Sequence, residues 1–126
     1  MNTPFDMPYE NLPVQLPVFP LTGAVLLPRC RLPLNIFETR YVKMTEDSLA
    51  SDRLIGMVQT VNVESSDTTP ALFRTGCAGR ITSFSETDDG RILIILTGVS
   101  RFDVEEELHV DTHYRQGIPA WEAYRL

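Results

Sequence analysis

Short apolar runs separated by chain breakers, with one stretch of helical periodicity, run through this chain, the pattern of a β-rich domain. Leu16-Pro17-Val18-Phe19 and Leu32-Pro33-Leu34-Asn35-Ile36 read as strands. Their prolines fall at strand starts or on an edge, where a missing N–H costs little. Pro4, Pro8, Pro13, Pro17, Pro20, Pro28 and Pro33 crowd into the first 33 residues, and each disfavours helix at the residue before it. The opening is therefore extended, with residues 1–13 expected as a leading segment and 14–126 as one domain. Thr22 to Pro28 reads as a loop or irregular turn. Asn35 and Glu38 stand at capping-box spacing ahead of Tyr41, Met44 and Leu49, which predicts one helix near residues 37–50. Its polar face would carry Lys43, Glu46 and Asp47, and Ser51-Asp52 would end it.

Leu54 to Val61 predicts a buried strand, followed by a polar surface loop from Asn62 to Pro70. Ala71 to Phe84 returns to strand, with Gly76-Cys77-Ala78-Gly79 marking a bulge or a close backbone approach, as in a curved sheet or barrel. Asp88-Asp89-Gly90 is a hairpin signal, with Arg91 to Thr97 as the partner strand. Arg101 to Glu106 and Tyr114 to Tyr124 complete the set, Pro119 favouring an edge for the last. The expected fold is mainly β (α+β), six or seven strands and one helix.

Hydrophobic residues make up 43% of the 126 positions and charged residues 22%, near the averages for folded globular domains. Eleven Lys and Arg against 17 Asp and Glu leave a formal charge of −6, which repels phosphate backbones and argues against nucleic acid as a partner. The longest purely aliphatic stretch is Ile92 to Leu96, far short of a membrane span. Cys30 and Cys77 form no CxxC pair, so neither a zinc site nor a disulfide framework is suggested. The expected location is cytoplasmic.

GxxxxGK[ST] and GxGxxG are absent, so no phosphate cradle is visible. Gly98-Val99-Ser100-Arg101 lacks the second glycine of a nucleophile elbow. Cys77 has small neighbours that would admit a substrate, but a buried residue at a sheet bend explains it equally. His109-Val110-Asp111-Thr112-His113 would gather two imidazoles and a carboxylate on one face of a strand. Without a further ligand in a second segment, it reads as a polar surface turn. Glu105-Glu106-Glu107 alternates faces in a strand and suits a solvated edge.

Leu16-Pro17-Val18-Phe19-Pro20-Leu21, Leu27-Pro28, Leu32-Pro33-Leu34-Asn35-Ile36-Phe37-Glu38 and Arg40-Tyr41 together resemble the start of the Lon protease N-terminal domain. Gly76-Cys77-Ala78-Gly79-Arg80-Ile81, Asp89-Gly90 and Leu96-Thr97-Gly98-Val99-Ser100-Arg101-Phe102 extend the resemblance in order over residues 14 to 124. It is nearest to stand-alone bacterial members without ATPase or peptidase domains. The resemblance implies a PUA-like twisted pseudo-barrel that recognises substrate polypeptides and carries no catalytic, cofactor or metal site. Family members continue past the last strand into helices, whereas this chain stops at Leu126, so Trp121 and Tyr124 are expected on an uncovered face that favours weak self-association.

The expected function is non-catalytic binding of exposed apolar segments of unfolded or misfolded polypeptides, with a chaperone or protease as a further partner. Val25, Leu26 and Leu27, in a segment rich in breakers, and Phe37 and Tyr41, at the start of the helix, are the candidate peptide-binding residues. An RNA-binding PUA-like module, and a small enzyme centred on Cys77 or on His109 and His113, are the alternatives.

Overall fold

A computed structural model describes residues 12–20, 25–61, 71–108 and 112–124. Six strands are present: β1 Leu16–Pro20, β2 Arg31–Ile36, β3 Leu54–Val58, β4 Thr75–Glu86, β5 Ile92–Leu108 and β6 Arg115–Ala120. One helix, α1, spans Thr39–Leu49, and a short 3-10 turn covers Glu122–Tyr124. The strand order is β2-β5-β4-β3-β1-β6, and β6 pairs again with β5. The sheet thus closes on itself through β5, β4, β3, β1 and β6, with β2 added outside the ring. β1 and β3 are parallel, and the chain between them runs through β2 and α1, as a parallel pair requires a long crossover.

The closure depends on one long strand. The runs Arg91–Thr97 and Arg101–Glu106, expected as two strands, fall, apart from Arg91 itself, in the single β5, whose first half pairs with β2 and whose last residues pair with β6. The register against β4 slips between Ala78 and Gly79, where Gly79 faces Gly98 and Ala78 faces Ser100. The extra residue, Val99, reverses the side-chain alternation. Ile92, Ile94 and Leu96 therefore reach one core, with Phe19, Ile55, Met57, Cys77 and Met44 of α1. Phe102 reaches the other, with Leu16, Val18, Leu54, Val58 and Ala78.

Other boundaries differ for local reasons. β3 stops at Val58, and Thr60 makes only an isolated bridge to Leu72, so the expected strand to Val61 is shorter and Val61 is exposed. β4 begins at Thr75 instead of Ala71. β6 ends at Ala120, and it is flanked by β1 and β5 instead of lying at an edge. Pro119 itself lies beyond the residues that pair with β1, on the stretch bordered by β5 alone. The helix starts at Thr39 with Glu38 as its N-cap, and no side chain caps it. The capping box does not form because Asn35 belongs to β2, paired with Leu93, and Glu38 instead bonds Arg40 at 3.2 Å. Lys43 and Asp47 form an i,i+4 ion pair at 3.1 Å on the polar face. Asp47 also accepts a 2.7 Å hydrogen bond from the Tyr114 hydroxyl, tying α1 to the start of β6.

Trp121 is not left uncovered. It is 7% exposed, packs its ring 5.6 Å from that of Phe102, and donates its indole N–H to the Pro13 carbonyl at 3.0 Å. Tyr124 is half-buried, with its hydroxyl bonded to Asp103 at 2.9 Å. The two residues therefore provide no ground for self-association. The leading segment before Leu12, the loop over residues 62–70, and His109 and Asp111 lie outside the described residues.

The Asp88-Asp89-Gly90 hairpin forms as expected, with Gly90 at φ +86° and the Gly90 N–H donating to the Thr87 carbonyl at 3.2 Å. A Cβ at Gly90 would meet nothing within 4 Å, so a substitution costs only backbone strain. Gly90→Val should therefore lower stability by about 1–2 kcal/mol and Tm by roughly 3–8 °C. An unchanged Tm in a thermal melt would show that the turn relaxes without cost.

Candidate functional site

One face of β3, β4 and β5 carries an open groove of about 500 Å³, within the range of ligand-binding clefts. Its floor follows from the register. Met57 pairs with Cys77 and Cys77 with Arg101, so the three form a row across the strands, at roughly 5 Å per step. Val25, Leu26 and Leu27 border the groove together with Phe73, Arg74 and Thr75. Phe73 is held by its N–H to the Gln59 carbonyl at 2.9 Å.

The segment carrying Val25, Leu26 and Leu27 is anchored at one crowded point. Pro28 bridges to Gly98, the Arg29 N–H donates to the Gly98 carbonyl at 2.8 Å, and the Gly98 N–H donates to the Cys30 carbonyl at 2.8 Å. A Cβ at Gly98 would lie 2.0 Å from the Leu27 carbonyl oxygen, so only glycine admits the crossing. The adjoining Gly79 leaves room for Leu26, whose Cδ2 would be 2.7 Å from a Cβ there. Consequently Leu26 is 5% exposed and belongs to the core, while its neighbours Val25 and Leu27 are 63% and 43% exposed.

Of the five residues singled out from sequence, Val25, Leu26 and Leu27 line the groove, and Leu26 does so from within the core. Phe37 and Tyr41 are not among the lining residues. Tyr41 stacks on Phe19 with ring centroids 4.5 Å apart and carries the Arg40 guanidinium over its ring. Phe37 is exposed just before α1. Met57, Phe73, Arg74 and Arg101 were not singled out as groove residues. Met57 lies in the run expected as a buried strand and Phe73 in the run expected as strand from Ala71, where nothing local sets either apart as a groove residue.

Cys77 lies in the groove floor, yet its thiol is not activated. Burial pushes its pKa up to about 11, against the smaller opposing effect of the Arg101 charge. At pH 8 only about one molecule in a thousand would hold the thiolate, the reactive form. Cys30 is exposed. A thiol-reactive disulfide reagent at pH 8 should therefore label one cysteine of the native protein rapidly and the second at least tenfold more slowly. Equal rates would mean that the floor of the groove is open to the reagent. His113 is exposed, and among the described residues no three His, Cys, Asp or Glu side chains are placed to hold a metal. Among the described residues, no helix is long and apolar enough to cross a membrane.

The sequence matches, over residues 15–123, the family described as the ATP-dependent protease La (LON) substrate-binding domain. The chain belongs to this family. Among its relatives, the Lon protease of Flavobacterium johnsoniae is 32% identical over 114 residues, covering 90% of this chain and 14% of that protein. The Lon protease of Dictyoglomus thermophilum is 29% identical over 111 residues, 86% of this chain and 14% of the relative. This LON domain thus spans about one seventh of such proteases. Among solved structures, a Lon N-terminal domain protein from Xanthomonas campestris superposes with a TM-score of 0.66 at 31% identity, over 85% of this chain and 59% of that one. The N-terminal domain of a Mycobacterium avium complex Lon protease superposes with a TM-score of 0.65 at 12% identity, over 85% and 54% of the respective chains. At that identity the second likeness concerns the fold alone. The resemblance read from the ordered motifs therefore holds, and so does the mainly β architecture with one helix.

Proposed function

We propose that this LON domain holds exposed apolar segments of unfolded or misfolded polypeptides in the groove beside Val25 and Leu27, without making or breaking bonds in them. The observation that carries this reading is the convergence of three exposed apolar side chains, Val25, Leu27 and Phe73, on one open groove. Exposed apolar side chains scattered singly need no explanation, but a cluster bordering a groove marks a binding surface. The family, described by its substrate-binding role, supports the same reading. The protonated thiol of Cys77 supports binding over thiol chemistry. A chaperone or protease would act on the held segment as a separate partner.

The test is a Val25→Ser, Leu27→Ser double variant. Both side chains are already largely in water, so stability should fall by under roughly 1 kcal/mol. Removing two apolar contacts should weaken capture of a permanently unfolded, reduced client protein about tenfold or more, read by fluorescence anisotropy. Undiminished affinity in a variant with a native melting profile would overturn the proposal.

A further inference from the structure

The geometry points to a groove that selects polypeptide segments in which an apolar side chain is followed by an aspartate or glutamate side chain, the carboxylate being taken by Arg101. This inference rests on the groove being the polypeptide site. The row Met57, Cys77, Arg101 runs across three paired strands on one face, so a segment lying along it meets an apolar surface first and a guanidinium about 10 Å further on. Arg101 is exposed. Arg74 adds a second cation, held only loosely by Asp103 at 3.8 Å with its side chain 78% exposed.

Among the described residues, no aspartate or glutamate lines the groove, although the chain as a whole carries a charge of −6. Salt screens charges beyond about 8 Å at physiological ionic strength. A carboxylate placed beside Arg101 and Arg74 is therefore governed by these two side chains, and by Asp103 next to Arg74, more than by charges lying beyond that distance. The cations stand at an open rim as side chains. A chain-terminal carboxylate is usually captured by a nest of backbone N–H groups, whereas the side chain of an internal residue suits an exposed guanidinium.

The experiment uses the full chain and four fluorescent peptides of equal length with one apolar core. Three have blocked ends and carry Glu, Gln or Lys after the core, and the fourth ends in a free carboxylate directly after it. At physiological ionic strength the Glu peptide should bind about fivefold tighter than the Lys peptide, with Gln between them. Arg101→Glu should reverse that order, and Arg101→Gln should abolish the difference. Equal binding of the Glu and Lys peptides, still lost in the Val25→Ser, Leu27→Ser variant, would overturn this inference and leave the groove reading standing. Tightest binding of the free-carboxylate peptide would overturn it in favour of chain ends. Failure of every peptide to bind would overturn both readings.

Discussion

Gly98→Ala should cost this LON domain about 3 kcal/mol or more and should damage the groove together with the fold. The added methyl would lie 2.0 Å from the Leu27 carbonyl oxygen, 2.7 Å from its carbon and 3.0 Å from the Pro28 Cα. All three are backbone atoms, so no rotamer change relieves the overlap, and overpacking of this kind typically costs 1–3 kcal/mol. Displacing the segment would also break the two 2.8 Å hydrogen bonds that join Gly98 to Arg29 and Cys30, at roughly 1 kcal/mol each. Urea denaturation of both proteins measures the difference. Gly90→Ala is the control, because its Cβ meets nothing and only the positive φ is penalised. A Gly98→Ala protein within 1 kcal/mol of the parent would show that the chain does not cross β5 at this residue.

Leu26→Ser should be nearly as severe, with a loss of about 3–5 kcal/mol. Leu26 is 5% exposed and sits over the space left by Gly79, near Leu96. Truncating a buried leucine costs about 2–5 kcal/mol through lost transfer energy and the cavity left behind, and the serine hydroxyl adds a buried polar group to satisfy. The same substitution at Val25 or Leu27 should cost under about 1 kcal/mol, so three consecutive residues should separate clearly by thermal melting. If Leu26→Ser melts with its neighbours, the segment is not anchored through Leu26.

Much of the architecture was legible in the sequence because it rests on local rules. The helix announced itself through the spacing of Tyr41, Met44 and Leu49, the hairpin through Asp89-Gly90, and the bend in β4 through Gly76 and Gly79. The ordered motifs from Leu16-Pro17 to Gly98-Val99-Ser100-Arg101 carried the family. The continuity of β5 was not legible, because Gly98 reads locally as a break. It is in fact the place where another part of the chain passes over an unbroken strand. The capping box failed for a similar reason: Asn35 was taken into β2 by pairing with Leu93, a contact distant in sequence.

The groove shows the same division. That Val25, Leu26 and Leu27 are apolar and lie among chain breakers is written in the sequence, and so is the presence of Arg101 and Phe73. Their apolarity could not say which of them faces water. That was decided when Gly79 and Gly98 came to lie side by side in the sheet, turning Leu26 inward and leaving Val25 and Leu27 outside. Nor could it place Met57, Cys77 and Arg101 in one row, since that depends on the register of three strands and on the extra residue, Val99, that reverses the alternation of β5. Sequence determined the elements and the family through local propensity and spacing. Tertiary pairing alone decided which side chains meet, because a one-residue shift in register sends a strand's side chains to the opposite face.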